Sequence, residues 1–304
     1  YQYRAADEAG CATSPASCAY RKGDLWKVVN ALGQSSEILR YDGAGRVSSA
    51  KDANGVIADL EYNARGWLTA SKVRGTDHAS ETDDRIVRIE YWPDGSTKQL
   101  IQPDGAYVRF EYDPAHRLTA IVDGEGNAIR YTLDNAGERK KEEVFDSANV
   151  LRRTLARTYN TLGQLASVST PHPNPAITTL VTTTYRYDAE GNPDKMTDAL
   201  ARETNSEYDP LGRLKRTLEN ATAAASAPDR AETGFEYDVL DRLTKVTDPN
   251  GLPTIYGYNG FGEQTRLDSR DTGVTTFEYD SAGNRTQQID ANSKTTGYTY
   301  DALN

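Results

Sequence analysis

Cysteine, methionine and histidine are scarce in this chain, and long apolar runs are missing. Two cysteines, one methionine and three histidines occur among 304 residues, so the sequence offers few of the nitrogen and sulfur ligands that zinc sites use. No apolar run approaches the roughly 20 residues that cross a bilayer as a helix. The chain also begins without a stretch that looks like a signal peptide. We therefore expect no metal site and no membrane span.

Dense runs of basic residues are lacking too. The chain has 35 Lys and Arg against 45 Asp and Glu, which gives a formal net charge of -10. Binding to a phosphate backbone needs a basic stripe or patch, so the composition argues against a nucleic-acid partner. Aromatic residues, in contrast, are plentiful, with 19 Tyr. Disordered chains contain few of them, so the sequence indicates a folded protein.

Motifs of common active sites are absent from the sequence. We find no Gly-x-Ser-x-Gly elbow, no Walker loop, no His-Glu-x-x-His and no Cys-x-x-Cys. His78, His116 and His172 lie far apart, in expected turns or insertions. Asp123 starts a stretch with acids at alternate positions, but Ala128 stands where a calcium-binding EF-hand loop needs Gly. We expect exposed turn residues here, and neither catalysis nor a cofactor.

What the chain does contain is a tyrosine that recurs with a step of 21 residues, or of 21 plus five, seven or eight. Asp or Asn follows nearly every copy, and Gly comes four positions after it. Such a period indicates one small unit stacked many times. The tyrosines are Tyr41, Tyr62, Tyr91, Tyr112, Tyr159, Tyr187, Tyr208, Tyr237, Tyr258 and Tyr279, and the turn glycines include Gly45, Gly212, Gly262 and Gly283.

One repeat shows the unit most clearly. Phe235 and Tyr237 are two positions apart and so point to the same face of a strand. Residues 238–241 make a turn, and residues 242–247 form a second extended run that is rich in β-formers. A second turn follows at 248–251. Each unit is thus two strands and two tight turns, and the predicted fold is an all-β, repetitive antiparallel β-meander.

The turn chemistry gives each recurring residue a role. Asp or Asn after the tyrosine can bond the backbone two residues on, and Gly tolerates the positive φ that closes the turn. His116 and Asp241 replace this glycine in two repeats. Arg213 and Arg242 begin the returning strand. The tyrosines, with the large residues two positions before them, are expected to form a cross-strand structural ladder of large side chains, in which Tyr and Phe rings stack across neighbouring strands; a row of sugar-stacking aromatics is the alternative.

Twelve or thirteen repeats give roughly 25 strands, a ribbon on the order of 120 Å wide. Because strand twist accumulates, the sheet should coil into a curved, spiral wall with a concave side. Residues 1–19 are expected to be an irregular segment or an incomplete repeat with a loop, and residues 20–304 one continuous array. The extra residues of the longer repeats, at 75–80, 170–175 and 221–228, are expected to be exposed loops.

Cys11 and Cys18 lie before the array in a stretch rich in Gly, Ala, Ser and Pro. Their spacing fits either a small disulfide-closed loop in an oxidising compartment or two free thiols. The chain starts at Tyr1 without a Met and stops partway through a repeat, so we expect it to be a piece of a longer protein. A sheet cut from a larger one has two open edges. We expect self-association through them, or protection of one edge by residues 1–19.

Residues 235–251 read FEYDVLDRLTKVTDPNG, with near copies at 208–214 (YDPLGRL) and 277–283 (FEYDSAG). This pattern resembles the YD repeat of RHS proteins, and the resemblance covers about residues 20 to 304. It implies a β-sheet shell of the kind found in bacterial RHS polymorphic toxins, in the B and C components of toxin complexes and in teneurins. In the toxin families the shell surrounds a C-terminal toxic domain. Residues 248–252 (DPNGL) resemble the cleavage site of an RHS core terminus, but they also match an ordinary repeat turn.

The resemblance implies a non-catalytic scaffold, part of a shell that encapsulates or presents a toxin or effector polypeptide for delivery. The expected partners are that polypeptide, whether on the same or a partner chain, and adjacent RHS repeats. The expected location is secreted or on a bacterial cell surface. The alternative, motivated by the many tyrosines, is a carbohydrate-binding or adhesion module with a glycan as partner.

Overall fold

A computed structural model of the chain describes residues 1–13, 18–77, 80–174, 179–222 and 229–303. His78 and parts of the three expected loops lie outside the described residues. Every regular element in the described part is a β-strand, and 25 strands, β1 to β25, follow one another along the chain. Within these residues, no helix is long and apolar enough to cross a membrane.

The chain divides into two compact units. Unit 1 comprises Tyr1–Ile129, Asp146–Asn149 and Thr299–Asn304, and unit 2 comprises Arg130–Phe145 and Val150–Tyr298. The strands before β12 are Gln2–Tyr3 (β1), Leu25–Val29 (β2), Ser35–Tyr41 (β3), Val47–Lys51 (β4), Ile57–Tyr62 (β5), Leu68–Val73 (β6), Arg85–Tyr91 (β7), Thr97–Ile101 (β8), Tyr107–Tyr112 (β9), Leu118–Asp123 (β10) and Ala128–Leu133 (β11), the last of which runs across the division. The later strands, in unit 2, are Arg139–Phe145 (β12), Leu151–Tyr159 (β13), Leu165–Thr170 (β14), Val181–Tyr187 (β15), Pro193–Thr197 (β16), Glu203–Tyr208 (β17), Leu214–Glu219 (β18), Ala231–Tyr237 (β19), Leu243–Thr247 (β20), Pro253–Tyr258 (β21), Gln264–Ser269 (β22), Gly273–Tyr279 (β23), Arg285–Ile289 (β24) and Thr295–Gly297 (β25).

Consecutive strands pair antiparallel within each unit. The pairing runs from β1 to β10 in unit 1 and from β12 to β25 in unit 2. Strand β15 illustrates why these segments are strands, because its sequence VTTTYRY consists almost wholly of β-branched and aromatic residues. The prediction of an all-β, repetitive antiparallel β-meander is confirmed.

A meander places alternate turns at opposite ends of its strands. In each unit, we call the border of the sheet at which the turns directly follow the recurring tyrosines the tyrosine edge; it consists of strand ends and is distinct from the open sides of the outermost strands. In unit 1 its turns are 42–46, 63–67, 92–96 and 113–117, and in unit 2 they are 134–138, 160–164, 188–192, 209–213, 238–242, 259–263 and 280–284. The opposite edge carries turns such as 198–202 and 248–252.

The described part of each unit lacks a core of large buried side chains. Among the described residues no large side chain is fully buried, and the buried apolar residues are Cys11, Ala19, Ala70, Ala120 and Ala128. Strand residues are mostly half-buried instead, as are all five of β20. A single sheet layer buries side chains only against neighbours on the same face, so cross-strand pairs and turn contacts must carry the stability.

The N-terminal segment is partly regular. Strand β1 pairs with β2, which places Gln2 opposite Lys27, and the Arg4 N–H donates to the Asp24 carbonyl at 2.8 Å. The Arg4 guanidinium lies 3.9 Å from the centroid of the Tyr20 ring. The segment therefore covers part of an edge that β2 would otherwise leave open.

Candidate functional site

The turns of the tyrosine edge share one hydrogen-bonded design. In turn 238–242, the Asp238 N–H donates to the Arg242 carbonyl at 2.9 Å. The Asp238 Oδ1 accepts from the N–H groups of Leu240 at 2.8 Å and Arg242 at 3.0 Å. The same Oδ1 pattern occurs at Asp42, Asn63, Asp113, Asn160, Asp188, Asp209, Asn259 and Asp280. In these turns the short polar side chain thus fixes the shape of the backbone.

The residue four positions after the tyrosine has a left-handed backbone. The φ angles are 79° at Gly45, 77° at Gly212, 87° at Gly262 and 85° at Gly283. His116 and Asp241 take the same position with φ of 60° and 62°, a conformation that costs a side-chain-bearing residue energy. Each makes a compensating contact: His116 Nδ1 with the Asp94 carboxylate, and Asp241 Oδ1 with Arg213 Nη1 at 2.8 Å.

Each recurring tyrosine ties its own repeat to the one before it. The hydroxyl donates to the carbonyl of the first residue in the preceding return strand, at distances between 2.7 and 3.1 Å. The pairs are Tyr41 with Leu25, Tyr62 with Val47, Tyr91 with Leu68, Tyr112 with Thr97, Tyr159 with Arg139, Tyr187 with Leu165, Tyr208 with Pro193, Tyr237 with Leu214, Tyr258 with Leu243 and Tyr279 with Gln264. Burial raises the pKa of Tyr41, Tyr112, Tyr208 and Tyr258, which keeps these donors protonated.

The tyrosine rings do not form the stacked row that the sequence led us to expect. In the described ranges, the aromatic rings in contact are those of Trp67 and Tyr91, with centroids 5.3 Å apart. Arginine guanidinium groups lie against several tyrosine rings instead, as Arg213 does over Tyr237 at 5.0 Å. The cross-repeat contacts of the tyrosines are therefore hydroxyl hydrogen bonds and cation–π contacts.

Arg213 and Arg242 link successive turns. Arg242 Nε donates to Asp238 Oδ2 at 2.7 Å within its own turn, and Nη1 donates to the Asn259 carbonyl of the next turn at 3.0 Å. Arg213 does the same, with Asp209 Oδ2 at 2.7 Å and the Asp238 carbonyl at 3.1 Å. The sequence indicated only that these arginines begin a strand. Their second role is to connect turns. The sequence feature that could have indicated it is the Asp four positions before each arginine, Asp209 and Asp238.

Hydrogen bonds keep the turn carboxylates ionised. At Asp42, the Arg46 backbone N–H, followed by the Arg46 guanidinium, lowers the pKa of the carboxyl group. At Asp113 the order is reversed, because the Arg117 guanidinium has the larger effect on the pKa and the Arg117 N–H the smaller one. Both turns therefore depend on a charged Asp.

Two acidic stretches that resemble known motifs also close ordinary turns. Asp123 Oδ1 accepts from the N–H groups of Glu125 at 3.0 Å and Asn127 at 2.8 Å. Asp248 Oδ1 accepts from the Leu252 N–H at 2.7 Å. These carboxylates have the turn role that the sequence favoured over calcium binding or self-cleavage.

Glu8, Cys11 and Cys18 are described residues whose ligand atoms lie close enough together to hold a metal ion. The two sulfurs, however, are joined in a disulfide, with the Cα atoms 4.7 Å apart. Glu8 Oε2 also accepts the Ala19 N–H at 2.6 Å. A disulfide offers no thiolate, which is the form of cysteine that binds metal. The cluster does not suit a metal ion while the disulfide is intact.

The histidines have local contacts where the structure describes them. His116 is exposed beside Asp94. His172 is half-buried, where we had expected an exposed residue, and its Nδ1 accepts the Asn174 N–H at 3.0 Å.

A surface groove of about 460 Å³ lies beside turn 92–96 in unit 1. Its lining includes Trp92, Glu111, Tyr112 and His116. Trp92 stands where most repeats have Asp or Asn, and 41% of it is exposed. An exposed indole beside carboxyl and imidazole groups suits a small polar ligand. Trp92 was not identified from the sequence, although its break with the repeat pattern was a visible signal.

Comparisons with solved structures support the fold. The chain is similar to the crystal structure of TcdB2-TccC3 without its hypervariable C-terminal region, with a TM-score of 0.62 and 17% identity over 92% of this chain and 16% of that chain. The crystal structure of TcdB2-TccC3 gives a TM-score of 0.60 and 15% identity, over 89% of this chain and 16% of that chain. The chain therefore spans a small part of these proteins, and the similarity concerns the fold alone.

The repeats themselves decide the family. No curated protein matches the chain. The family model described as RHS Repeat matches residues 22–77, 91–128, 112–142, 208–255, 237–274, 258–293 and 279–304. These ranges cover more than half of the sequence and contain most of the turns described above, although not turns 160–164 and 188–192. As the sequence resemblance predicted, this chain belongs to the RHS repeat family.

Proposed function

We propose that this chain is a non-catalytic structural scaffold, part of an RHS shell that encapsulates or presents a toxin or effector polypeptide for delivery. The observation that carries the proposal is the linkage along the tyrosine edge. Tyrosine hydroxyls join each repeat to the one before, and arginines such as Arg242 join turns to the one after. The recurring residues are thus occupied in holding the sheet together.

The faces of the sheet support enclosure of another polypeptide. Because strand twist accumulates over many strands, we expect from the sequence that such an array curls around a concave side. The side chains of Val73, Leu151, Met196 and Ile255 are between 38% and 46% exposed on strands. An enclosed polypeptide would cover such side chains on the concave side.

The edges support pairing with further repeats. All three residues of β25 are exposed, and β1 has only two residues. Open backbone edges of this kind can continue a sheet, so adjacent RHS repeats or a second copy are the proposed partners there. The Cys11–Cys18 disulfide favours an oxidising environment, in agreement with a secreted or bacterial cell-surface location.

Protease protection tests the shell role in the natural full-length protein. The polypeptide that the shell encloses should resist trypsin while the shell is intact, and should be cleaved rapidly in a variant that lacks residues 235–304. Equal cleavage rates in the two proteins would contradict encapsulation. Intact shell fragments, followed in the same digest, control for general loss of structure.

A carbohydrate-binding module is the second candidate, favoured by the groove beside Trp92. The hydroxyls of the recurring tyrosines donate hydrogen bonds to backbone carbonyls within the sheet. The exposed indole of Trp92 is therefore the better candidate for stacking on a sugar ring. Glycan-array binding should be lost in Trp92→Ala and kept in Trp26→Ala, which changes a tryptophan outside the groove. Absence of binding to any glycan would refute this candidate.

A further inference from the structure

Large apolar side chains are exposed on the tyrosine edge of unit 2. Five of them, between 65% and 97% exposed, form what we call the apolar turn row: Leu162, Leu211, Val239, Leu240 and Phe261. The last four belong to three successive turns, 209–213, 238–242 and 259–263. The row therefore runs along the sheet edge from one repeat to the next.

The fold of the turn does not require these apolar residues. Leu240 N–H donates to Asp238 Oδ1 at 2.8 Å, and Ala282 N–H makes the equivalent bond to Asp280 at the same distance. Glu190 takes the same position in another turn of unit 2. Since small and charged residues close the turn equally well, the exposed Leu and Phe side chains need another explanation. Contiguous exposed apolar side chains commonly mark a binding surface.

The spacing of the row selects an α-helix as its partner. Each repeat adds two strands, so successive turns are about 9.6 Å apart. Seven residues of α-helix rise about 10.5 Å, and residues i and i+7 lie on nearly the same face. A bound β-strand fits poorly, because its side chains return to the same face every two residues, or about 6.6 Å. One heptad of helix thus matches one turn of the row.

The charge around the row indicates that this helix is basic. The five turns from 160–164 to 259–263 contain six carboxylates and two arginines. Asp209 and Asp238 pair with Arg213 and Arg242. Asp241 also pairs with Arg213. Six carboxylates against two arginines still leave the edge acidic. Two copies of this edge would repel each other if they met face to face, which argues against a second copy as occupant.

We propose that the apolar turn row docks a basic amphipathic α-helix of a partner polypeptide, with one apolar residue per heptad against each turn and Lys or Arg facing the edge carboxylates. This interaction is independent of the proposed shell role, because it uses the outer ends of the turns and not a face of the sheet.

A peptide-binding experiment tests the proposal. The probe is a labelled 21-residue helical peptide with Leu at heptad positions and Lys on the flanks, and fluorescence anisotropy measures its affinity for the whole chain. We expect saturable binding that weakens at least tenfold when Leu211, Leu240 and Phe261 are all changed to Ser. Leu200→Ser is the matched control, since Leu200 is also highly exposed but lies in a turn on the opposite edge, and it should leave the affinity unchanged. A peptide with Glu in place of Lys should bind at least tenfold more weakly.

Several outcomes would overturn the proposal. Absence of saturable binding would do so, as would an equal loss of affinity in Leu200→Ser. Light scattering provides a second readout: a dimer of the unmodified chain that the triple variant abolishes would assign the row to a second copy of this chain instead. Circular dichroism and the thermal midpoint check that the triple variant, altered only at exposed turn positions, remains folded.

Discussion

The hydroxyl of Tyr258 provides a direct test of the link between repeats. It donates to the Leu243 carbonyl at 2.8 Å, while the ring packs under the Arg242 guanidinium at 5.0 Å. Tyr258→Phe keeps the ring and removes only the donor. The change therefore isolates the hydrogen bond between one repeat and the preceding return strand.

The size of the effect follows from the surroundings of the bond. A hydrogen bond of this kind contributes about 0.5 to 1.5 kcal/mol net. Leu243 is half-buried, so water can partly replace the lost donor, and we expect a loss near 1 kcal/mol. For a chain of this size that corresponds to a fall in the melting temperature of roughly 2 °C. Hydrogen exchange should also speed up in turn 259–263 and at the start of β22.

Tyr256→Phe is the matched control for this experiment. Tyr256 lies on the same strand, two positions before Tyr258, and its hydroxyl makes no hydrogen bond that we find among the described residues. The control should change the free energy of unfolding by less than about 0.5 kcal/mol. Urea denaturation of both variants would refute our reasoning if Tyr258→Phe were as stable as the unmodified protein, or if both variants lost the same amount.

Three further predictions concern the turns. Ala201 has a φ of 61°, so Ala201→Gly should relieve left-handed strain and raise the stability to urea by about 0.5 to 1 kcal/mol; a loss would contradict the strain. Arg242→Lys should lose the bond to the next turn and cost about 1 kcal/mol, whereas Lys215→Arg, on an exposed side chain, should have no effect. The pKa values of Asp42 and Asp113 are lowered in the folded state, so their contribution to stability should be complete above their unfolded pKa, about 3.9, and should be lost as the pH falls through the lower folded values. Urea midpoints between pH 6 and pH 2 measure this loss of stability. A rise in stability on acidification would contradict the predicted direction of the pH dependence.

The turns could be predicted from the sequence because their chemistry is local. Asp238 bonds backbone groups two and four positions away, and Gly262 supplies the positive φ within the same few residues. A pattern with such short-range causes can be read directly from residue types and spacing. The strand order followed as well, because turns this short only allow neighbouring strands to pair antiparallel.

The contacts between repeats were harder to predict because their partners lie far apart in the sequence. The acceptor of a tyrosine hydroxyl lies between 15 and 23 positions earlier, depending on the length of the intervening loop. Arg213 likewise reaches the Asp238 carbonyl, 25 positions later. Only the register of the assembled strands brings such groups together, so the sequence indicated that the tyrosines are structural but not which atom performs the role.

The substitutions within the repeat carried information that a consensus pattern conceals. Trp92 in place of Asp or Asn marks the groove in unit 1, and Leu211, Leu240 and Phe261 mark the apolar turn row in unit 2. Trp92 departs from the Asp or Asn of the repeat, whereas the three apolar residues occupy a turn position that also accepts Ala282 or Glu190. In a repeat array, residues that the turn itself does not require are the positions at which to look for binding.

Small-angle X-ray scattering of the chain tests the central claim of the proposal, the expectation from the sequence that the repeats coil into a curved wall. A flat ribbon on the order of 120 Å wide would have a radius of gyration of about 35 Å or more. A compact protein of this length would have one near 19 Å. We predict a value of roughly 20 to 30 Å for a sheet that curls around a concave side. A value at or above about 35 Å for the monomer would contradict the wall and, with it, the proposed shell.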